Sequence, residues 1–361
     1  MRTLSTLILV LLWSGAQAST EKLAATANSF LASLNSEQQA TVSYPLKDDA
    51  RATWSNLPVI MSPPAGIMLD TLTDTQRQHV HHLLQLSLSS QGYGKAHSIM
   101  WLDDILREIE QAEIDAGEDS PIARTIVKTR SSGQYAVAIF GSPDDKNWGW
   151  KITGHHLAVN VTVANGQVAL TPGFWGSNPR VVSAGPYAGF APLSGEYRLS
   201  LTLFNALTDA QQKEALIPGE LPQDVVEGPG RRGSLTKFEG LSSAKLNADQ
   251  MLALQHLVSE YVRNGNSLAA GEHLDSIAAA GWKNLWFSWR GPTDGSGPFY
   301  YRVHGPRLLI EYHLQNMNHD HAVIRDPEND YGEDWLGLHY KEEHPTLQEA
   351  LQILRRAAGI E

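Results

Sequence analysis

The chain has 361 residues, of which 42% are hydrophobic and 19% charged, and this composition indicates a globular protein rather than a disordered one. Acidic residues outnumber Lys and Arg by 39 to 28, a formal net charge of -11, which argues against nucleic acid or an anionic membrane surface as the main partner. Because the chain contains no cysteine, thiol nucleophiles and thiolate metal ligands are excluded, and any metal must be held by His, Asp, Glu or backbone oxygen.

The first residues predict an export signal. An apolar run over residues 4–13 follows a single arginine, and Ala16-Gln17-Ala18 has the small-x-small pattern that a signal peptidase cuts. The run is shorter than the roughly 20 residues that a spanning helix needs, and no later segment comes close, so we expect no membrane span. Residues 1–18 are therefore predicted to be a signal peptide, and residues 19–361 a single α+β domain that is periplasmic or secreted.

The first half of the remaining chain has helical periodicity. The segment NSFLASLNSEQQATV is amphipathic, and LTDTQRQHVHHLLQLSLS begins with the capping-box pair Thr73 and Gln76 before an apolar stripe. The segment AHSIMWLDDILREIEQAE predicts the next helix. Between these two helices, Gly92-Tyr93-Gly94 is expected to form a short turn.

From Tyr135 onward the periodicity changes to two, which predicts strands. YAVAIFG comes first, and HHLAVNVTVA and QVALTPGFW form a hairpin across Asn165-Gly166, the strongest short hairpin signal. Start signals at Thr208 and Asn247 predict two more helices, and NLWFSWRG, PFYYRVHG and RLLIEYHLQ predict further strands. No internal repeat or long linker occurs, so we predict an α+β fold with a helical N-terminal half packed on a mostly antiparallel β-sheet.

Two adjacent histidines open the hairpin, and strand alternation would point their side chains to opposite faces. His155 shares a face with Leu157 and other apolar residues, so it is either a buried histidine bonded to the backbone or a ligand. His156 shares the other face with Asn160, which fits a solvent face or the wall of a site where Asn160 orients a neighbouring group. We expect one imidazole to be a ligand or proton carrier and the other to pack beside it, and we favour His155 as the ligand because buried sites exclude water.

A second group of candidate residues lies in RLLIEYHLQNMNHDHAVIRDPENDYG. Glu311 and His313 lie on one face of the predicted strand, and His319 and His321 share a face if their segment is extended. An H-x-H pair on a strand can present two nitrogens to one ion, and a carboxylate on a neighbouring strand can complete the site. The crowding of these four residues in a chain with only 14 histidines gives the H-x-H pattern more weight.

The loop DPENDYG follows directly, and its Asp-Pro and Asn-Asp pairs favour turns whether or not it has a function. On the functional interpretation, Arg325 binds a substrate carboxylate or orients Glu311 by a bidentate contact. Asp326 would then accept a hydrogen bond from the ring N–H of a ligand histidine, on the side away from the metal.

Two further basic groups are interpreted as solvent-exposed. Among His79, His81 and His82, only His79 and His82 share a helix face, and no acidic partner follows at the spacing of a zinc-protease helix. Arg231-Arg232 lies in a Gly/Pro-rich stretch that is typical of a loop.

Several segments, taken in order, resemble a known family. RATWSNLP, LSLSSQGYGKAHSIMWLDDIL, WGWKITGHHLAVNVTV, TPGFWGSNP, VHGPRLLIEY and NHDHAVIRDPENDYGEDWLGLHY make the chain similar to the bacterial and fungal domain-of-unknown-function family 3500. The resemblance covers nearly all of residues 19–361, implies one complete family member and brings no established reaction. The matching residues are Gly154, His155, His156, Asn160, Glu311, His319, His321, Arg325, Asp326, Asn329, Asp330, Tyr331 and His339. His313 falls outside the family pattern.

These patterns lead to the hypothesis of a secreted metal-dependent enzyme, with hydrolysis favoured. Its metal ligands would be His319, His321 and one or both of His155 and His156, with Glu311 as a further ligand or general base. Imidazole suits zinc, copper and iron alike, and zinc is the divalent transition metal we favour. The alternative is a non-catalytic periplasmic protein that binds a metal or a small molecule; a closed four-ligand site would favour it, whereas three ligands plus water would favour catalysis.

Overall fold

The computed structural model describes residues 19–117 and 120–337 of the chain. The signal-peptide prediction for residues 1–18 and the family-pattern residue His339 lie outside these ranges. The described α-helices are α1 (residues 19–33), α2 (Ser36–Val42), α3 (Asp74–Ser87), α4 (Ser90–Asp115), α5 (Pro121–Val127), α6 (Ser194–Ala206), α7 (Asp209–Ala215), α8 (Ala248–Val262), α9 (Ser267–Ala280) and α10 (residues 333–337). Within the described part of the chain, no helix is long and apolar enough to cross a membrane.

The predicted helix starts are confirmed. Helices α3, α7 and α8 begin after Thr73, Thr208 and Asn247, and each of these residues forms a capping box with the glutamine three positions later. A capping box satisfies two backbone N–H groups that the first turn of a helix leaves without partners. The sequence signal and the local energetics therefore agree at all three positions.

Two expectations for the N-terminal helices are wrong. The segment NSFLASLNSEQQATV is not continuous, because the Asn35 side chain accepts a hydrogen bond from Gln38 N–H and starts α2 as a new helix. Gly92-Tyr93-Gly94 is not a turn but lies in the first turns of α4, which Ser89 caps. A Cβ atom at Gly92 would lie 2.0 Å from the carbonyl oxygen of Asn264, so this glycine permits a close backbone approach.

The described strands are β1 (Ser43–Tyr44), β2 (Ile67–Met68), β3 (Tyr135–Phe140), β4 (Asn147–Gly154), β5 (Leu157–Ala164), β6 (Gln167–Ala169), β7 (Gly173–Ser177), β8 (Leu241–Ser242), β9 (Trp286–Arg290), β10 (Phe299–Gly305), β11 (Leu308–Asn316) and β12 (His319–Arg325). They form one sheet in the order β1-β3-β4-β5-β7-β12-β11-β10-β9-β8, with β2 beside β3 and β6 beside β5. Of the ladders that join these strands, that of β1 with β3 is parallel and the others are antiparallel. The α+β class with a mostly antiparallel sheet is therefore confirmed.

The hairpin across Asn165-Gly166 joins β5 to β6, and both turn residues have the positive φ of the favoured two-residue turn (50° and 83°). Strand β4 is absent from the sequence-based expectations, although Trp148, Trp150 and Ile152 alternate along it. Its two glycines and a lysine masked that alternation.

The two faces of the sheet are covered differently. One face is covered by helices, and we call it the helix-covered face. Residues of α3, α4, α6 and α8 pack against it in one continuous apolar core. On the second, the loop-covered face, Ala158, Phe174 and Val323 contact Trp54 and Val225 from two loops. Burying an apolar side chain of this size stabilises the fold by about 1.5–3 kcal/mol. These contacts therefore fix the two loops against the side of the sheet on which the β12 histidines lie.

Candidate metal centre

The adjacent histidines form a turn, which corrects the expectation that a strand begins at His155. Strand β4 ends at Gly154, which pairs with Leu157, so His155 and His156 are the two residues of the hairpin loop. His156 has a φ of 63°, a left-handed conformation that costs a residue with a Cβ about 1–3 kcal/mol. Its carbonyl accepts a 2.7 Å hydrogen bond from Gly176 N–H, which holds the turn against β7. Strand parity therefore does not decide where either imidazole points.

Three imidazoles converge beside this turn. His319 Nε2 lies 2.8 Å from His156 Nε2 and 3.0 Å from His321 Nε2. One nitrogen of each ring lies within 4.8 Å of the other two, a spacing that suits a single metal ion. We call His156, His319 and His321 the histidine group. As the sequence indicated, the segment from His319 is extended, and its two histidines share one face.

An aspartate from a loop on the loop-covered face contacts one ring of the histidine group. His321 Nδ1 lies 2.7 Å from Asp224 Oδ1, and Asn56 Nδ2 donates to the other carboxylate oxygen at 2.6 Å. Burial acts to raise the pKa of Asp224, but the hydrogen bonds from His321, Val225 N–H and Asn56 outweigh it and hold this pKa below its ordinary value. Donation from Nδ1 to the carboxylate leaves the lone pair of His321 on Nε2, which faces the group.

Burial disfavours the charged form of two of the three rings, His156 and His319. Burial, followed by the neighbouring His321, lowers the pKa of His319 to about 3. Burial and the adjacent His155 place the pKa of His156 well below its ordinary value. A neutral imidazole has one N–H and one lone pair, so hydrogen bonding satisfies only one of the two contacts that His319 Nε2 makes. A cation accepts lone pairs from all three rings, and this is the chemistry that the arrangement favours.

His155 lies outside the histidine group, although its ring centroid is 3.7 Å from that of His156. Its Nδ1 is 2.7 Å from Asp103 Oδ1, and the Arg130 guanidinium lies within 2.9 Å of both ring nitrogens. Asp103 also accepts from the Tyr135 hydroxyl at 2.7 Å. Burial lowers the pKa of His155 despite the adjacent carboxylate. The structure thus differs from our preference for His155 as the ligand, because both of its nitrogens have partners elsewhere.

Glu311 is fully buried and is not brought into the histidine group. Its carboxylate accepts hydrogen bonds from Val226 N–H (2.7 Å), Glu227 N–H (2.8 Å) and the Tyr300 hydroxyl (2.6 Å). Burial raises its pKa. These bonds hold the loop that carries Asp224, so the contact of Glu311 with the histidine group runs through the backbone of that loop.

Arg325 and Asp326 also lie away from the three imidazoles. Arg325 Nε donates to Glu227 O at 2.9 Å, and its Nη1 donates to Asp330 Oδ2 at 2.6 Å, so its guanidinium supports the same loop as Glu311. Asp326 accepts a bidentate contact from Arg307, at 3.0 and 2.8 Å. Neither contact corresponds to the expected orientation of Glu311 or to support of a ligand histidine.

Other candidate residues have separate roles. His313 pairs across the sheet with His321, and burial lowers its pKa to about 4. Asn160 donates to Pro172 O at 2.7 Å and does not orient a histidine.

Of the α3 histidines, His82 is exposed, as expected for a solvated helix side, and His79 is half-buried. His81 is also half-buried, and its Nδ1 lies 3.2 Å from the Tyr93 hydroxyl of α4. The solvated interpretation therefore needs correction at His81, because α4 packs beside it.

Sequence reasoning missed Asp103, Asp224 and Asn56. A signal existed for Asp103, which lies four residues after Ile99 and three before Leu106 on the apolar stripe of α4. A buried carboxylate on such a stripe needs a partner, and a histidine is one candidate. Asp224 and Asn56 lie in loops, where no periodicity marks a residue as facing a site.

Comparison with known proteins gives one match. A family model described as a protein of unknown function (DUF3500) matches residues 16–333. No curated protein and no solved structure matches the chain. The match spans most of the chain and includes every residue of the histidine group together with Asp103 and Asp224. This chain belongs to the DUF3500 family.

Proposed function

We propose that this chain is an exported metal-dependent hydrolase whose metal ion is held by His156, His319 and His321. The observation that carries the proposal is the convergence of three imidazole nitrogens. His319 Nε2 lies 2.8 Å from His156 Nε2 and 3.0 Å from His321 Nε2, and Asp224 contacts the other nitrogen of His321. Ligand histidines in metal sites usually donate their other N–H to such a carboxylate. Zinc is the metal we favour, and copper and iron are the alternatives that imidazole ligands also suit.

Hydrolysis is favoured because three protein ligands leave a coordination position for water or substrate. A divalent ion bound there supplies a Lewis acid that polarises water, or a carbonyl or phosphoryl oxygen. His319 is the most exposed of the three histidines, so a substrate would approach on its side. The ring centroids of His155 and His156 lie 3.7 Å apart, and the contact of His155 with Asp103 ties the turn to α4.

The burial of two ligands favours a second candidate function. His156 and His321 are each only 3% exposed, which suits a periplasmic protein that binds metal without catalysis. The two candidates differ in whether the ion keeps an exchangeable ligand.

Elemental analysis and cobalt substitution test both candidates. Protein purified without chelators is expected to contain one zinc ion per chain. After replacement by Co²⁺, added azide should change the visible spectrum if a coordination position is open. Hydrolysis of p-nitrophenyl acetate or p-nitrophenyl phosphate would support the hydrolase if a chelator abolishes this activity and added zinc restores it. An azide-insensitive spectrum without such turnover would support the binding protein, and absence of metal binding would reject both.

Separate alanine substitutions distinguish the two turn histidines. We expect His156→Ala to abolish stoichiometric zinc binding, because it removes a ligand nitrogen. His155→Ala should retain one zinc per chain but lower the unfolding temperature, since it removes the buried ring that joins Asp103 to Arg130 and leaves Asp103 with the Tyr135 hydroxyl and Arg130 with Glu110. Metal analysis and thermal unfolding give both readouts. Equal zinc loss in the two variants would contradict the division of roles.

Export is the second part of the proposal and is supported by the apolar run and the Ala16-Gln17-Ala18 pattern. We expect the protein recovered from the periplasm or culture medium to begin at Ser19. Intact-mass analysis of that fraction measures the start directly. Recovery of the chain with Met1 attached, or only in the cytoplasm, would contradict export without affecting the metal proposal.

A further inference from the structure

A cavity of about 330 Å³ lies between the helix-covered face and helices α8 and α9. Its volume is near the lower end of the range of about 300–1,000 Å³ that small-molecule pockets span. No member of the histidine group lines it. The cavity is therefore a second candidate site, independent of the metal proposal.

The floor of the cavity is an apolar patch of the sheet. Val159 of β5 and Ile324 of β12 pair with Gly173 of β7 from its two sides, and all three residues line the cavity. A Cβ atom at Gly173 would lie 3.3 Å from Ile324 Cγ2, so the glycine leaves the floor open between its neighbours. Val262 of α8 and Ala269 of α9 line the cavity as well. This surface suits a hydrocarbon group.

One wall of the cavity carries two carboxylates of α9. Glu272 and Asp275 both line it, and residues three apart on a helix have Cβ atoms about 5–6 Å from each other. Val168 N–H donates to Glu272 Oε2 at 3.4 Å, which places this carboxylate beside a strand residue that also lines the cavity. No ion pair to Glu272 occurs among residues 19–117 and 120–337, and burial raises its pKa to about 7. A carboxylate that has lost hydration in this way is stabilised by a nearby cation.

The other polar groups around the cavity leave this negative charge in place. Arg307, the cationic residue of the lining, is already paired with Asp326 at 2.8 Å. His273 Nε2 donates to Arg307 O at 3.0 Å, which leaves a lone pair on Nδ1, and burial lowers the pKa of this histidine. The wall therefore offers hydrogen-bond acceptors and negative charge, and a complementary ligand supplies donors and positive charge.

Thr171 is an independent indication of a ligand. It lines the cavity and is only 6% exposed, and none of the described residues forms a hydrogen bond with its hydroxyl. The hydroxyl oxygen is not among the unpaired polar atoms that the packing seals off completely. Since buried hydroxyl groups in native proteins are nearly always hydrogen-bonded, this group offers one further contact to a molecule in the cavity.

We propose that this cavity binds an organic ammonium compound, whose cationic nitrogen contacts Glu272 and Asp275 and whose hydrocarbon body lies on the floor formed by the sheet and α8. A primary ammonium group donates three hydrogen bonds and accepts none, which matches the acceptors of the wall. An anionic ligand would instead add negative charge beside Glu272.

Four probes separate the contributions of charge and hydrocarbon: hexylamine, 1-hexanol, hexanoate and methylamine. Titration calorimetry on the full chain should show binding of hexylamine. The alcohol and the carboxylate lack the cation, and methylamine lacks the chain, so each should bind at least about 10-fold more weakly. Any of these three binding as tightly as hexylamine, or no measurable binding of hexylamine, would overturn the proposal.

Matched variants locate the binding. Glu272→Gln keeps an acceptor for Val168 N–H but removes the charge, so hexylamine affinity should fall about 10-fold. Glu108→Gln is the control, because Glu108 is an exposed carboxylate of α4 that does not line the cavity. Ala269→Leu fills part of the cavity and should weaken hexylamine binding similarly; if it fails to fold, Glu272→Gln still tests the site. Unchanged affinity in a folded Glu272 or Ala269 variant, or an equal loss in the control, would contradict the site.

Discussion

Replacing His319 or His321 with alanine is expected to lower the affinity for zinc by more than about 100-fold. Loss of an outer-shell partner alone costs about 10- to 100-fold, and these substitutions remove a ligand nitrogen itself. Folding should survive, because His319 is half-buried and the Asp224 side chain that His321 leaves behind is 22% exposed and can be hydrated. Competition with a chromophoric chelator measures the affinity, and thermal unfolding without metal measures the fold.

His79→Ala is the matched control for these variants. It removes a half-buried histidine from α3, outside the histidine group, and should change neither zinc affinity nor unfolding temperature appreciably. Equal zinc content in the His79, His319 and His321 variants would contradict the metal proposal. Unfolding of both β12 variants at ordinary temperature would instead assign the two histidines a structural role.

The second large effect is expected from Glu311→Ala. The substitution leaves two backbone N–H groups and the Tyr300 hydroxyl without their acceptor in a site with no solvent exposure. Each unsatisfied buried group costs about 1–3 kcal/mol, so the free energy of unfolding should fall by about 3 kcal/mol or more. Because the released loop carries Asp224, zinc affinity should fall by about 10-fold as well. Urea unfolding and chelator competition measure the two effects.

Two further variants define what the Glu311 result means. Glu311→Gln keeps a carbonyl oxygen as acceptor and should recover part of the lost stability. Glu328→Ala removes a carboxylate whose side chain is 59% exposed, and should change stability by no more than about 0.5 kcal/mol. A Glu311→Ala protein as stable as the Glu328 variant would show that the loop does not depend on this carboxylate.

The features that were predictable from sequence are those set by neighbouring residues. The capping box at Thr73 and the turn at Asn165-Gly166 are local hydrogen-bond and dihedral preferences, and both are present. The shared face of His319 and His321 follows from the period of an extended strand. These local rules were sufficient for the α+β class and for two members of the histidine group.

The rest depends on contacts between distant segments. Nothing near Asp224 in the sequence indicates that it meets His321, because 97 positions separate them and the loop has no periodicity. The alternation beyond Leu157 suggested that the strand includes His155, whereas the left-handed φ of His156 ends it earlier. The partners of Glu311 were equally hidden, because the loop N–H groups that it accepts from lie 84 and 85 positions away in the sequence.

Gly176 gives the histidine group a steric requirement that can be checked in any chain of this fold. Strand β7 lies between β5 and β12, and a Cβ atom at Gly176 would fall 2.8 Å from His156 Cδ2 and 3.0 Å from His321 Cδ2. Any larger residue would therefore force the two rings apart while leaving the strand pairing intact. A related sequence that keeps all three histidines but carries a side chain at this position should fold in the same way without assembling the centre. Glycine here is thus a better criterion for inferring the site from sequence than the H-x-H pattern alone.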